Sequence, residues 1–256
     1  MDRRRHVTTD QYGELRDPPP PLDPPQRALA LGAHPDDIEF GCGGTLARWA
    51  QQGCHVVMAV MTDGSKGTWD PSMEPGELVR MRRAEQDAAA SALGAAEVVW
   101  LGHTDGEVVY SMDLRAQVCR LIREHRPDVF LSHDPWQRYQ LHPDHRATGT
   151  AAIDGMVAAR DHLFFPQQGL GPHRPDAMLL WSADAPDHME PLGDDDIAAK
   201  IAALLEHESQ GTTTMGGAEM DELKRDEFEA RIRGWVSEQG SAAGIPAAES
   251  FKRLTP

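Results

Sequence analysis

Apolar residues in this chain gather into short runs that each stop on polar or turn-forming residues, with longer stretches of helix formers between them. The first run, from Arg27 to His34, reads Ala-Leu-Ala-Leu-Gly-Ala between its ends and fits a short buried strand. Similar runs at His55 to Met61, Glu97 to Leu101, Asp128 to Ser132 and Ala177 to Ser182 predict further strands. Helices are predicted over Gly41 to Gly53, Glu77 to Leu93 before Gly94, Asp113 to His125 before Pro127, Thr148 to Asp161, Asp194 to Gln210 and Glu219 to Gln239. Strand and helix alternate throughout, which implies an α/β domain with a mostly parallel central sheet and helices on both faces. The domain spans 27–256, and residues 1–26 stand apart from it. Their run Asp17-Pro-Pro-Pro-Pro-Leu-Asp-Pro-Pro25 cannot enter a sheet interior and predicts an extended, semi-rigid arm, either a plain linker or a subunit-binding arm.

In open α/β sheets ligands bind outside the carboxyl ends of the strands, so the residues that end each run are where chemistry is expected. The first run stops at His34-Pro35-Asp36-Asp37, and about a hundred residues later the chain reads His142-Pro143-Asp144-His145. Imidazole nitrogen and carboxylate oxygen are both zinc ligands, and a catalytic zinc keeps three protein ligands and one open position. His34 and Asp37 can supply two of them. Pro143 suits a first helical position, which puts His142 and His145 on one face of the helix that follows. Either half alone is more often an ordinary turn, but the two together are a strong signal. The glycines after Asp37 do not make a dinucleotide site, because Leu46 stands where the third glycine of that fingerprint belongs, and this speaks against a nicotinamide-dependent dehydrogenase. The long connection from Thr62 through Trp69 to Gly76 is a candidate lid or binding loop.

Lys and Arg number 25 against 41 Asp and Glu, a net charge of −16 that repels phosphate, so nucleic acid and anionic membrane surfaces are not expected partners. Cys42, Cys54 and Cys119 are odd in number and widely spaced, which indicates neither a disulfide framework nor a thiolate metal site and fits a reducing cytoplasm. No apolar run is long enough to span a bilayer, and Thr8 to Pro25 is polar where a signal peptide would need its apolar core.

Ala33-His34-Pro35-Asp36-Asp37 and His142-Pro143-Asp144-His145 resemble the paired motifs of the zinc-dependent N-deacetylases known as the PIG-L or LmbE-like family. The segment Arg82-Arg83-Ala84-Glu85 matches that family's Arg-x-x-Glu, Lys200 to Gln210 is similar to its Lys-x-x-Ala-Leu-x-x-His-x-Ser-Gln, and Ala248 to Arg253 is similar to its ending. The resemblance implies a Rossmann-like three-layer fold and one Zn2+ per chain, held by His34, Asp37 and His145. It carries the general base onto Asp36. His142, if protonated, is placed to stabilise the oxyanion, with Asp144 orienting or charging it. Asp105 stands where the family binds substrate hydroxyls, and Arg82 either does the same or is a solvated helix arginine. Trp136 and Tyr139 either stack on a sugar face or pack their own loop, and His133 is read as a capping or supporting residue. The implied reaction removes an N-acetyl or related N-acyl group from an amino-sugar-containing small molecule. The alternatives are a metal-containing sugar-binding domain without turnover, or an amidase acting on a thiol conjugate or a glycosylated natural product. Monomer and homo-oligomer both stay open.

Overall fold

The computed structural model describes residues 20–211, 213 and 222–256, together with two-residue strands at Thr8–Thr9 and Leu15–Arg16 that pair antiparallel. The rest of the proline-rich arm, and most of the Thr- and Gly-rich break from Gly211 to Gly217, lie outside the described residues. In chain order the main elements are β1 (Arg27–Gly32), α1 (Asp37–Gln51), β2 (His55–Thr62), α2 (Pro75–Leu93), β3 (Glu97–His103), α3 (Met112–His125), β4 (Val129–His133) and α4 (Pro143–Ala159). β5 (Ala177–Trp181), β6 (His188–Pro191), α5 (Asp194–Leu205), α6 (Glu222–Ala242) and β7 (Ala248–Leu254) follow. The sheet runs β3-β2-β1-β4-β5-β7-β6. Its first five strands are parallel and β7 is antiparallel to both β5 and β6.

The apolar runs are buried on both faces because each strand divides its side chains between two cores. In β1, Ala28 and Ala30 pack with Trp49 of α1 and with Ala89 and Leu93 of α2, whereas Leu29 and Leu31 pack with Val118 and Ile122 of α3 and Ala152 of α4. β1 is paired through Leu29 with Val57 on one side and Phe130 on the other, which makes it an interior strand. The strand order reverses between β1 and β4, so the crevice expected for a ligand opens where these two strands end.

The first helix begins at Asp37, four residues before the expected Gly41, and it is broken at Cys42, whose φ of −151° and ψ of 18° are not helical. Two short helices in one line leave free carbonyls at the end of the first and free N–H groups at the start of the second. A buried ion pair meets both. Lys200 Nζ of α5 donates to Phe40 O at 2.7 Å and to Glu249 of β7, and the two Glu249 oxygens accept the N–H groups of Gly44 at 3.0 Å and Thr45 at 2.8 Å. A cation at a helix carboxyl end and an anion at an amino end also suit the two helix dipoles. Gly41 is at the break because a Cβ there would lie 2.5 Å from the Trp181 ring.

Two features lie outside the sequence expectation. The predicted helix from Asp194 to Gln210 stops at Leu205 and gives way to a 3-10 turn over Glu208–Gln210, and β6 and β7 add an antiparallel margin to the sheet. The end of the arm also joins the domain, since Leu22 N donates to Glu190 of β6 at 2.9 Å and Leu22 packs on the core. No helix among the described residues is long and apolar enough to cross a membrane.

Replacing Glu249 with Ala strands Lys200, which is 1% exposed, as an unpaired buried cation and leaves two helix N–H groups without acceptors. The expected loss of folding stability is about 3–5 kcal/mol. Urea unfolding followed by circular dichroism measures it, and a loss below about 1 kcal/mol would show that the pair does not hold the break.

Candidate functional site

Four strand ends build the site. β1 leads into His34, Asp36 and Asp37; β2 leads into the Asp63–Trp69 loop; β3 leads into Asp105; and β4 leads into His133 and the loop that enters α4 at His142. A cavity of about 500 Å³ opens here, with His34, Asp36, Asp37, Arg82, Asp105, His142 and His145 in its wall.

Pro35 and the two aspartates make a tight turn into α1. Asp36 sits at φ 93° and ψ −26°, the left-handed region, and Asp37 Oδ2 accepts the His34 N–H at 2.7 Å. A left-handed non-glycine residue costs of order 1–3 kcal/mol and persists only where the surroundings impose it. His34 Nδ1 then lies 3.2 Å from Asp37 Oδ2 and 3.2 Å from His145 Nε2, and His145 Nε2 is 3.1 Å from Asp37 Oδ1. Donor atoms around a tetrahedral zinc with bonds near 2.0–2.1 Å are roughly 3.3 Å apart, so this trio has both the chemistry and the spacing to hold such an ion. The described residues contain overlapping groups of the same kind, His34 with His142 and His145, and Asp37 with His133 and His145.

Second contacts separate these groups. His133 Nδ1 receives the Trp181 indole N–H at 3.1 Å, and its Nε2 faces Asp37 Oδ2 at 3.3 Å. The indole can only donate, so Nδ1 keeps its lone pair and the ring proton is on Nε2, pointing at the carboxylate. The Ala33 N–H, 3.2 Å from the same Nε2, asks for the opposite tautomer. The arrangement that satisfies both the indole and the carboxylate outweighs the one that satisfies a single amide. His133 is thus a neutral donor that orients Asp37, and burial keeps its pKa low.

His34 is held from behind. Its Nε2 is 3.1 Å from Asp144 Oδ2 and 3.2 Å from Asp105 Oδ1, which turns Nδ1 toward Asp37 and His145. Asp144 also accepts the N–H groups of Gly106 at 2.7 Å and Val108 at 3.1 Å. The Asp144 carboxylate is thus hydrogen-bonded to His34, while its charge still favours protonation of His142. Only its main-chain N–H meets His142, at Nδ1 and 3.3 Å. Burial, then the neighbouring His34 and His145, lower the His142 pKa against the pull of Asp144 and Asp105, and the Asp144 N–H at Nδ1 places the proton of the neutral ring on Nε2.

The adjacent aspartates are driven apart. Burial works against the Asp37 charge, but His145 and His133 hold its carboxyl well below the usual range. Burial dominates at Asp36 and pushes its pKa up to about 6, with Arg82 pulling the other way. Arg82 is 2% exposed, so the solvated reading of this arginine fails. Its guanidinium donates to Pro35 O at 2.7 Å and Gly64 O at 3.1 Å and lies 3.8 Å from Asp36. Glu85 of the same segment accepts both the N–H and the hydroxyl of Ser209, and Gln210 Nε2 donates to Gly67 O at 3.0 Å. The Arg-x-x-Glu and His-x-Ser-Gln segments therefore clasp each other across the loop after β2, whose first half is pinned and not a free lid.

Trp69, Trp136 and Tyr139 are all exposed, but only Trp69 lines the cavity, together with Lys66 and Gln210, and Trp136 and Tyr139 stand outside its wall. The length of the loop pointed toward Trp69 and the His-Glu-Ser-Gln segment toward Gln210, but nothing in the sequence ranked these above Trp136.

The PIG-L family model, described as GlcNAc-PI de-N-acetylase, matches residues 29–156. The chain belongs to this family. Its members are amide hydrolases, and this PIG-L chain is one of them. A diacetylchitobiose deacetylase of Thermococcus kodakarensis is 33% identical over 193 residues, covering 74% of this chain and 72% of that protein. An inositol 2-acetamido-2-deoxy-glucopyranoside deacetylase of Kineococcus radiotolerans is 30% identical over 169 residues, 54% of this chain and 46% of that one. The solved N,N'-diacetylchitobiose deacetylase of Pyrococcus horikoshii superposes with a TM-score of 0.81 at 29% identity, covering 90% of this PIG-L chain and 84% of that structure.

Burial opposes a charge on His34, but hydrogen bonds to Asp105, Asp144 and Asp37 outweigh it and push the metal-free pKa up to about 12. A metal ion binding at Nδ1 must displace a proton, so its affinity falls as pH falls. Titration of metal-free protein with Zn2+ near neutral pH, in buffers of different ionisation enthalpy, is expected to register proton release. Proton-neutral binding would remove His34 from the ligand set.

Proposed function

We propose that this chain is a zinc-dependent hydrolase that removes an N-acetyl group from an amino-sugar-containing small molecule, with one zinc held by His34, Asp37 and His145. The observation that carries this reading is the pair Asp36 and Asp37. One carboxylate is kept ionised among imidazoles while its neighbour, shifted to about 6, is poised to exchange a proton near neutral pH. The mutual spacing of the three donors supports the metal, and the names of the relatives support the acyl group removed.

Zinc, when bound, supplies a Lewis acid that makes water more acidic and polarises the acyl carbonyl. Asp36 accepts the water proton at its carboxylate and later gives it to the leaving nitrogen, so water and the amide become acetate and a free amine. Arg82, near enough to favour the ionised carboxylate, keeps Asp36 from being protonated too readily. His142, with its proton on Nε2, is a neutral hydrogen-bond donor for the developing oxyanion. Asp105 and Asp144 keep the His34 ring turned toward the metal.

Diacetylchitobiose and the inositol acetamido-glucopyranoside in the relatives' names share an acetamido sugar. A cavity of about 500 Å³ suits such a sugar with a substituent. Trp69 on its wall offers the sugar a stacking face, a role expected from the sequence at Trp136 or Tyr139.

Asp36→Asn keeps the size of the side chain and tolerates the left-handed backbone. It is expected to retain zinc by metal analysis while kcat on an acetylated amino sugar falls by roughly two to four orders of magnitude. Zinc loss would make Asp36 a ligand, and near-normal turnover would end the single-base mechanism. The base must be ionised to act, so kcat/KM falls as pH drops through its pKa. That acidic limb is expected at or below about 6, because a bound dication can only lower the metal-free value.

Trp69→Ala is expected to raise KM about tenfold with kcat little changed, the pattern of an interaction equal in ground and transition states. Steady-state kinetics on wild type, Trp69→Ala and Trp136→Ala separate the two rings. A rise in KM confined to Trp136→Ala would restore the sequence-based reading.

A further inference from the structure

Behind Asp36 lies a second polar group that the reaction above does not use. Glu39 of α1, Gln86 of α2 and His207, just after α5, are all fully shielded from solvent. Gln86 Oε1 accepts the Asp36 N–H at 3.3 Å, and Gln86 Nε2 donates to Glu39 Oε1. A main-chain N–H can only donate and a carboxylate oxygen accepts, so these two partners leave the amide of Gln86 a single orientation. His207 Nε2 stands 3.5 Å from the same Glu39 oxygen, and among the described residues neither of its ring nitrogens makes a closer bond. These three side chains form a connected line whose one hydrogen bond to the motif, among the described residues, goes to the N–H of residue 36, with the charge of His207 also acting on the Asp36 carboxylate.

That N–H belongs to the one residue of the motif in the left-handed region. The peptide before Asp36 is gripped at both ends, its Pro35 carbonyl by Arg82 at 2.7 Å and its N–H by Gln86 at 3.3 Å, and loss of the N–H contact loosens the strained turn that aims the carboxylate into the cavity it lines. The metal donors do not need this contact. His34 and Asp37 are fastened by Asp105, Asp144, His133 and each other.

We propose that Gln86, fixed in orientation by Glu39 with His207 behind it, is the positioning residue of the general base, acting on Asp36 through its backbone. This rests on Asp36 being the base, and it separates base placement from metal retention. A core that merely fills the space between α1 and α2 would make no such separation.

The test uses the full-length, zinc-loaded enzyme and an N-acetylated amino-sugar substrate, with metal content read alongside kinetics. Gln86→Leu is expected to lower kcat about ten- to a hundredfold, with KM and zinc content at wild-type level. Combined with Asp36→Asn, it is expected to add no further loss, because a residue that acts only through Asp36 has nothing left to position. The exchanged pair Gln86→Glu with Glu39→Gln keeps an acceptor facing the Asp36 N–H and a donor–acceptor pair behind it, and is expected to recover most of the wild-type kcat. If Gln86→Leu does not fold, that pair carries the test alone, and failure to recover activity overturns the proposal. A kcat for Gln86→Leu within about twofold of wild type, zinc loss, or losses that multiply in the double variant would each overturn it as well. Should Asp36→Asn itself turn over normally, the base assignment falls first, and that result is distinct from a Gln86→Leu enzyme that stays active beside an inactive Asp36→Asn.

Discussion

Three aspartates share one cavity with three imidazoles and a fourth, Asp144, lies buried behind His34, and keeping that many charges out of water is the constraint around which the site is built. Buried charges are tolerable only when each has a defined counterpart. Asp105 and Asp144 spend theirs on the far nitrogen of His34, and Asp37 faces His133 and His145. Asp36 faces Arg82 at 3.8 Å, with the charges of His207 and His34 pulling more weakly in the same direction. Division of labour among chemically identical groups therefore follows from who faces whom. The neighbours Asp36 and Asp37 differ in proton affinity because the turn between β1 and α1 sends their carboxylates to opposite partners.

The turn is possible because the fold gives it unusual support. A helix that starts at a strand end and then has to pass Trp181 cannot stay regular, and α1 breaks where Gly41 allows the indole to come close. The same indole sets the tautomer of His133, and His133 orients Asp37. Packing in the core and protonation at the metal centre are thus one problem, solved by a ring with an apolar body and a donor edge.

Much of this was legible in the sequence. The parallel strands announce themselves as unbroken apolar runs because both faces are covered, and the two histidine motifs are visible because they interrupt such runs with residues that have no place in a core. β7 was hidden since it carries Glu249 inward among apolar neighbours, and β6 since four residues ending in Pro191 leave no periodicity to read. The start of α1 was misplaced because its glycines look like a helix beginning when they mark a helix breaking. The partner of Asp144 could not be inferred from its nearness to His142 in sequence. The amides of Gly106 and Val108, nearly forty residues upstream, turn its carboxylate the other way. Trp69 and Trp136 are equivalent on paper, and only the path of the loops separates them.

The clamp at the break of α1 joins residue 44 to residue 249, a separation of 205 positions. During synthesis the ribosome releases both histidine motifs long before it releases β7. A nascent chain can therefore display every proposed metal donor while the helix that begins at Asp37 still lacks the carboxylate that closes its gap. Metal captured at that stage would meet a loosely ordered set of ligands. The long-range contact makes the finished site a late event in folding, with its geometry set by a strand that emerges 205 positions after the helix it closes.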